Sequence, residues 1–265
     1  MPKDTAKRVV KRVLEWVYPE KLYCMACGHP IDREMPYGLC GKCFSELRFL
    51  TDAVTEPEEN SGLCVYAATR YDLWEKEILY ALKYNGAAYY AKEMGRMMAD
   101  MLRMHRVEFD VVVPVPMFPE KEARRGYNQA ALLASEIASA FEVPCIADAI
   151  LRVKSTDALK TLGYTERRTM LREAFRANPR YVTAAKSRGC ATRDGAAEAE
   201  GRTGAAGGEK DFATGNVLAG KRVLLVDDIY TSGSTTEVCA KVLQNLSVCD
   251  TMVAVFSKTS HRGTA

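Results

Sequence analysis

The spacing of apolar residues along the chain changes period repeatedly, and the changes lay out strands and helices in alternation. Val223-Leu224-Leu225-Val226 is an unbroken apolar run and predicts a strand buried on both faces. After it, Val238, Val242, Leu243 and Leu246 recur at helical spacing and predict a helix from Thr236 to Leu246. Asp110 to Pro116 reads as a second buried strand running into a proline-rigid loop, Cys64 to Arg70 as a third and Met252 to Phe256 as the last. Helices are expected at 72–84 (Leu73, Ile78, Leu79, Leu82), at about 88–105, and from Tyr127-Asn128-Gln129 to about Phe141. Met94, Met97, Met98, Met101 and Leu102 form a core stripe on the second of these. Strands alternating with helices predict an α/β fold, a mostly parallel sheet flanked by helices.

Three stretches fall outside this rhythm. Residues 1–21 hold a basic amphipathic helix over 3–17, with Val9, Val10, Val13, Leu14, Trp16 and Val17 set among Lys and Arg, suited to docking on the protein or a partner. Residues 51–62 read as an acidic linker. Residues 183–216 are rich in Ala and Gly with almost no large apolar side chains, so they cannot bury enough surface to offset ordering entropy and read as a disordered insertion.

The main chemical signal follows the first strand. Asp227-Asp228 stands at its expected C-terminal end, then the small polar turn Thr231-Ser232-Gly233-Ser234-Thr235 opens a helix. In an open α/β sheet ligands bind outside the carboxyl ends of the strands. Backbone N–H groups and the helix start favour an anion there, while two carboxylates accept sugar hydroxyls and repel a phosphate. A phosphate in the turn with sugar hydroxyls on the acids satisfies both. A core strand with an incidental acid pair remains an alternative. A phosphorylation receiver is excluded by room, since receivers carry their acid pair early and only residues 229–265 follow here. Lys121, Arg124 and Arg125 sit on the loop after the second strand, where fixed cations suit a pyrophosphate.

Composition narrows the setting. Hydrophobic content of 48% and charged content of 27% are those of a globular protein, and a formal charge of +3 is too small to argue for nucleic acid by itself. No apolar run approaches the roughly 20 residues of a membrane helix, and the charged N-terminus lacks a signal-peptide core. Of 9 cysteines, Cys24, Cys27, Cys40 and Cys43 form two Cys-x-x-Cys knuckles. That spacing points to a structural Zn²⁺ ribbon at 22–50 in a reducing cytoplasm, with no open position for catalysis. His29 beside it is expected to be exposed, and Cys190 is treated as incidental.

The two knuckles, Leu82-Lys83-Tyr84, Pro114-Val115-Pro116, Arg125-Gly126-Tyr127-Asn128-Gln129 and the stretch 223–235 occur in the order seen in the competence protein ComF family. That family resembles a zinc ribbon fused to a type I phosphoribosyltransferase domain, similar in its core to the transferase half of glutamine phosphoribosylpyrophosphate amidotransferase. The resemblance places the transferase domain at 63–265. It implies that Asp227 and Asp228 orient ribose hydroxyls, that Thr231, Ser232, Gly233, Ser234 and Thr235 cradle a 5′-phosphate, and that Arg124 and Arg125 stabilise a leaving pyrophosphate. Lys83, Arg152 and Lys154 are its further substrate-binding residues, and Mg²⁺ its companion to phosphoribosyl pyrophosphate. The implied activity transfers ribose 5-phosphate to a nitrogenous acceptor, linked to DNA uptake or nucleotide salvage. The segments 151–156 and 166–175 resemble a closing lid. Leu159 and Met170 stand where the family usually carries Gln and Asn, which puts the acceptor and turnover in question. The alternative is a non-catalytic DNA-uptake scaffold or ligand sensor that binds a partner ATPase or single-stranded DNA, although the ribbon shows no obvious run of aromatics for base stacking. Lys258 and His261 in the tail could approach an acceptor, although lone polar tail residues are usually solvated.

Overall fold

The computed structural model describes residues 22–51, 63–155, 170–182 and 216–259. The basic segment 3–17, residues 52–62, residues 156–169 with Leu159, residues 183–215 and His261 lie outside the described residues. In chain order the elements are α1 (Gly41–Glu46), β1 (Val65–Arg70), α2 (Leu73–Tyr84), α3 (Tyr90–Met104), β2 (Val111–Pro114), α4 (Pro119–Arg125), α5 (Gln129–Phe141), β3 (Ile150–Arg152), β4 (Phe175–Ala177), β5 (Arg222–Tyr230), α6 (Ser234–Gln244) and β6 (Asp250–Lys258).

Four strands form one sheet in the order β1-β6-β5-β2, every pair parallel. Parallel neighbours cannot be joined by hairpins, so the connections cross over as helices that cover both faces. The strands sort their side chains with period 2. Val112, Leu224, Val226, Met252, Ala254 and Phe256 enter one core with α2, α3 and α5. Val111, Val113, Val223, Leu225, Val253 and Val255 enter a second core beneath α6 and the antiparallel β3–β4 pair. The mixed α/β architecture read from the sequence is therefore the one observed, and Met94, Met97, Met98 and Met101 of α3 are buried as expected. Gly95 marks the close approach of α3 to α5, because a Cβ there would overlap the Cβ of Glu136.

Chain direction fixes the position of the crevice. After β2 the chain turns toward α5 on one face, and after β5 it turns toward α6 on the other. The carboxyl ends of these neighbouring strands thus diverge, which is the switch point where α/β sheets hold ligands.

The cysteine segment shares the first core. Cys24, Met25, Leu39, Cys43 and Leu47 are buried in the same cluster as Met94, Met98 and Leu102. Tyr37 Oη donates to Asp100 at 2.9 Å and Trp74 Nε1 to Glu46 at 2.7 Å. The buried Glu75 accepts from the N–H groups of both Arg48 and Asp72 at 3.2 Å, which ties the segment to the capped start of α2.

Some local expectations needed correction. The basic residues after β2 are not on an open loop: Pro119 at the first helical turn starts α4, which carries Lys121, Arg124 and Arg125. The acid pair is inside β5 and not past its end, because β6 continues to pair with β5 as far as Tyr230 and Lys258.

Candidate functional site

β2 gives out halfway along β5. Among the described residues its final bond to that strand runs from Val115 N–H to Val226 O at 2.8 Å. Among the described residues, Asp227 and Asp228 therefore stand on an edge with β6 on one side and no strand on the other. The Asp228 N–H that would have met β2 is accepted instead by Asp227 Oδ1 at 2.8 Å. The alternation of faces slips at the same point: Ile229 packs with the α2 core and Tyr230 with the α6 core.

The two carboxylates have different surroundings. Asp228 is buried, and its Oδ2 faces Lys83 Nζ at 2.5 Å. Lys83 lies in the last turn of α2, where the helix dipole favours a cation. Burial, and after it the charge of Asp228, push the Asp227 carboxyl well above the ordinary Asp range, against the opposing pull of the Asp228 N–H and Lys83. Asp227 in turn raises Cys239, whose thiol is already pushed up by burial in α6.

Two short motifs interlock around this pair. Tyr127 Oη donates to Leu82 O at 2.5 Å, and the Arg125 guanidinium lies 5.4 Å over the Tyr84 ring while donating to Gln129 Oε1. Asn128 Nδ2 donates to Val115 O at 3.0 Å, and its Oδ1 caps α5 by accepting from Ala130 N–H at 3.0 Å. Gly126, at φ +90°, supplies the turn between α4 and α5. The end of α2, the proline loop and the start of α5 are thereby fixed to one another.

Thr231-Ser232-Gly233 forms the turn into α6. Gly233 has φ +71°, and a Cβ there would collide with Tyr230 Oη, so neither the backbone nor the space admits a side chain. The N-cap residue of α6 is Gly233, so it offers the first amides no side-chain cap; Thr236 Oγ1 donates to Gly233 O at 2.8 Å, and the Ser232 and Ser234 hydroxyls lie 2.9 Å apart. Uncapped amides beside small hydroxyls form a ready anion cradle. Lys258 lies 5.4 Å over the Tyr230 ring, close behind this turn.

Asp227, Asp228, Lys83, Arg125 and the 231–235 turn are thus gathered at the switch point, whereas Arg124 is exposed at the end of α4. At the antiparallel β3–β4 pair, Arg152 lies 5.3 Å over Phe175, and beside it Lys154 pairs with Glu173 at 2.6 Å. Met170 packs on the α6-side core, an anchoring role for an apolar residue in the lid segment.

Apart from the crevice, Cys24, Cys27, Cys40 and Cys43 bring their four sulfurs within 4.8 Å of one another. Cys27 and Cys40 Sγ are 3.7 Å apart. Zn–S bonds of about 2.3 Å in a tetrahedron require sulfurs about 3.8 Å apart, so the donor set fits a closed structural Zn²⁺ site. Cys40 N–H donates to Cys24 Sγ at 3.3 Å, and Cys43 N–H to Cys40 Sγ at 3.4 Å. Burial raises the Cys24 thiol, but N–H groups of Cys27, Cys40 and Ala26 outweigh it and bring the pKa to about 7, toward the thiolate a metal needs. His29 is exposed beside the knuckle. Among the described residues this is the cluster of three or more ligand-type side chains that could hold an ion, and no described helix is long and apolar enough to cross a membrane.

With the geometry in place, the chain can be compared with known proteins. It is 25% identical over 242 residues to competence protein F of Haemophilus influenzae, an alignment that covers 85% of each chain. The resemblance to competence protein F thus extends well beyond the short motifs. No protein-family model matches the chain. Among solved structures it is similar to glutamine phosphoribosylpyrophosphate amidotransferase from B. subtilis complexed with ADP and GMP, at 18% identity and a TM-score of 0.35, covering 64% of this chain and 26% of that one. It is also similar to the protein TT1426 from Thermus thermophilus, at 13% identity and a TM-score of 0.32, covering 66% of this chain and 86% of the other. The chain therefore matches about a quarter of the amidotransferase's length.

Residue-type patterns identified the acids, the turn and the cysteines. They did not assign roles to Tyr84, Tyr127, Asn128 and Gln129, whose work is to position neighbours, nor did they single out Tyr230. The glycine three residues after Tyr230 was the available clue, because it removes the side chain that would strike the ring.

Two outcomes follow. Chelation of the metal should lower the melting temperature steeply, since binding to such a site is worth on the order of 10 kcal/mol and these cysteines lie in the main core; an unchanged melting curve after metal removal would contradict a structural site. For Asp227 the folded pKa lies above the unfolded value of about 4, so its contribution to stability is complete below that value and is lost as pH rises through the folded pKa. Asp227→Asn should therefore gain stability relative to the parent as pH is raised from about 4, and melting curves that stay parallel across pH would refute this.

Proposed function

We propose that the crevice between β2 and β5 binds phosphoribosyl pyrophosphate with Mg²⁺ and that the protein transfers the ribose 5-phosphate group to a nitrogenous acceptor. The observation that carries this reading is the juxtaposition, within one strand and one turn, of an acid pair, Asp228 buried and Asp227 half-buried, and the amides at the start of α6. A sugar phosphate spans such a site naturally, with its hydroxyls on the carboxylates and its phosphate on the amides. The Arg125 guanidinium, held between Tyr84 and Gln129, is poised to stabilise the charge that develops on a departing pyrophosphate. Arg124, Arg152 and Lys154 are assigned outer roles in holding the polyanion. The similarity to competence protein F supports a role in DNA uptake.

A second reading, a non-catalytic scaffold or sensor of DNA uptake, has its own support. Met170 is committed to core packing instead of reaching an acceptor. Although the sequence displays no run of aromatics in the ribbon, Tyr23 and Tyr89 are exposed around a cavity of about 50 Å³ between the cysteine segment and α3. Exposed rings of this kind suit a protein partner or unpaired bases.

Calorimetric titration of the zinc-loaded chain separates the readings. Phosphoribosyl pyrophosphate with Mg²⁺ should bind, and the Asp227→Asn/Asp228→Asn variant should lose at least about tenfold in affinity, equivalent to about 1.4 kcal/mol, while remaining folded. Binding followed by acceptor-dependent pyrophosphate release establishes the transferase; binding without release favours the sensor; no binding by folded protein removes the transferase and the sensor and leaves the scaffold.

A further inference from the structure

The acid pair of β5 has the composition of a divalent-cation site, yet the structure gives it a different partner. Asp228 is 3% exposed, and the Lys83 ammonium stands 2.5 Å from its Oδ2. That oxygen accepts no hydrogen bond among the described residues, so the ion pair is its compensation for burial. The Lys83 side chain is itself only 21% exposed. It is held from behind, because Leu82 O, one residue earlier, is fixed by Tyr127 Oη and Tyr84, one residue later, lies under Arg125. A lysine confined in this way is not a loose surface cation that a metal displaces freely. Asp227 offers little to a metal on its own: its Oδ1 is engaged by the Asp228 N–H, and burial disfavours its charge.

We propose that Lys83 is the built-in counter-cation of the acid pair, occupying the position a divalent ion would otherwise take, so that the free protein binds no Mg²⁺ at Asp227 and Asp228. Divalent metal then enters only as part of an anionic ligand that already carries it. Lys83 also leaves lone pairs of Asp228 open to neutral hydroxyl donors while cancelling its charge. The crevice is thereby tuned to take uncharged hydroxyls beside a polyanion, and a bare cation is refused. Lys83 acts as a specificity-determining residue, and its role is independent of which sugar phosphate is the natural ligand.

The test uses Mn²⁺ as the probe, followed by electron paramagnetic resonance on the zinc-loaded full chain with no sugar phosphate present. The wild type should leave Mn²⁺ free. Lys83→Gln should gain a site for about one Mn²⁺ per chain, and adding Asp228→Asn should abolish it. Lys83→Arg, which keeps the charge, should gain none. Mn²⁺ uptake by the wild type that disappears in Asp228→Asn overturns the proposal, as does a folded Lys83→Gln that takes up no Mn²⁺. Where Lys83→Gln does not fold by itself, recovery of its melting transition by Mn²⁺ or by the added Asp228→Asn supports the proposal, and failure of both overturns it. Because no phosphoribosyl pyrophosphate is present, the result does not depend on the proposed transfer reaction.

Discussion

β5 lies inside the parallel sheet between β6 and β2, and it loses one of these two partners at Val226. The neighbouring strand β2 ends at Pro114, the partner of Val226, while β6 carries on to Lys258. The next two residues of β5 are thus held in extended form from one side and left open on the other. Backbone groups on an open edge must find other partners. Here the Asp227 side chain supplies one, bending back to its neighbour's N–H. The strand end, the acid pair and the crevice are consequences of the same missing ladder.

The surrounding motifs stiffen that opening. Lys83 would not meet Asp228 unless α2 ended where it does, and α2 is held there by Tyr127. Asn128 holds the proline loop from the other side and caps α5 at the same time. Single side chains thus serve both local structure and site geometry, so substitutions at Tyr127 or Asn128 act on the crevice without touching a ligand. The cysteine segment contributes from further away. Its buried cysteines share a core with α2 and α3, and Glu75 links it to the start of the helix whose far end carries Lys83.

Much of this was legible in the sequence, and the reasons differ from element to element. The central strands announced themselves because burial on both faces demands unbroken apolar runs such as Val223 to Val226. Cysteine spacing pointed to the clustered sulfurs of Cys24, Cys27, Cys40 and Cys43, since few other arrangements need two such knuckles. The small turn at 231–235 was readable from its run of small polar residues after a strand and an acid pair, whereas the clearance that Gly233 gives the Tyr230 ring at φ +71° was not. α4 was missed because seven residues with no buried member carry no hydrophobic period. The β3–β4 pair, three residues each, was too short to show alternation and was read as lid. The partnership of Lys83 with Asp228 was out of reach, as it joins positions 145 residues apart through the fold. A resemblance that names both residues as ligand-binding gives no sign that they bind each other.

The geometric core of the account is that one molecule spans the acid pair and the turn. The most direct measurement is a crystal structure of the zinc-loaded chain soaked with ribose 5-phosphate. The account predicts the phosphate among the amides of 232–235 and the sugar hydroxyls on Asp227 and Asp228, with Lys83 still paired to Asp228. A sugar phosphate bound elsewhere, or a crevice left without ligand at saturating concentration, would contradict it.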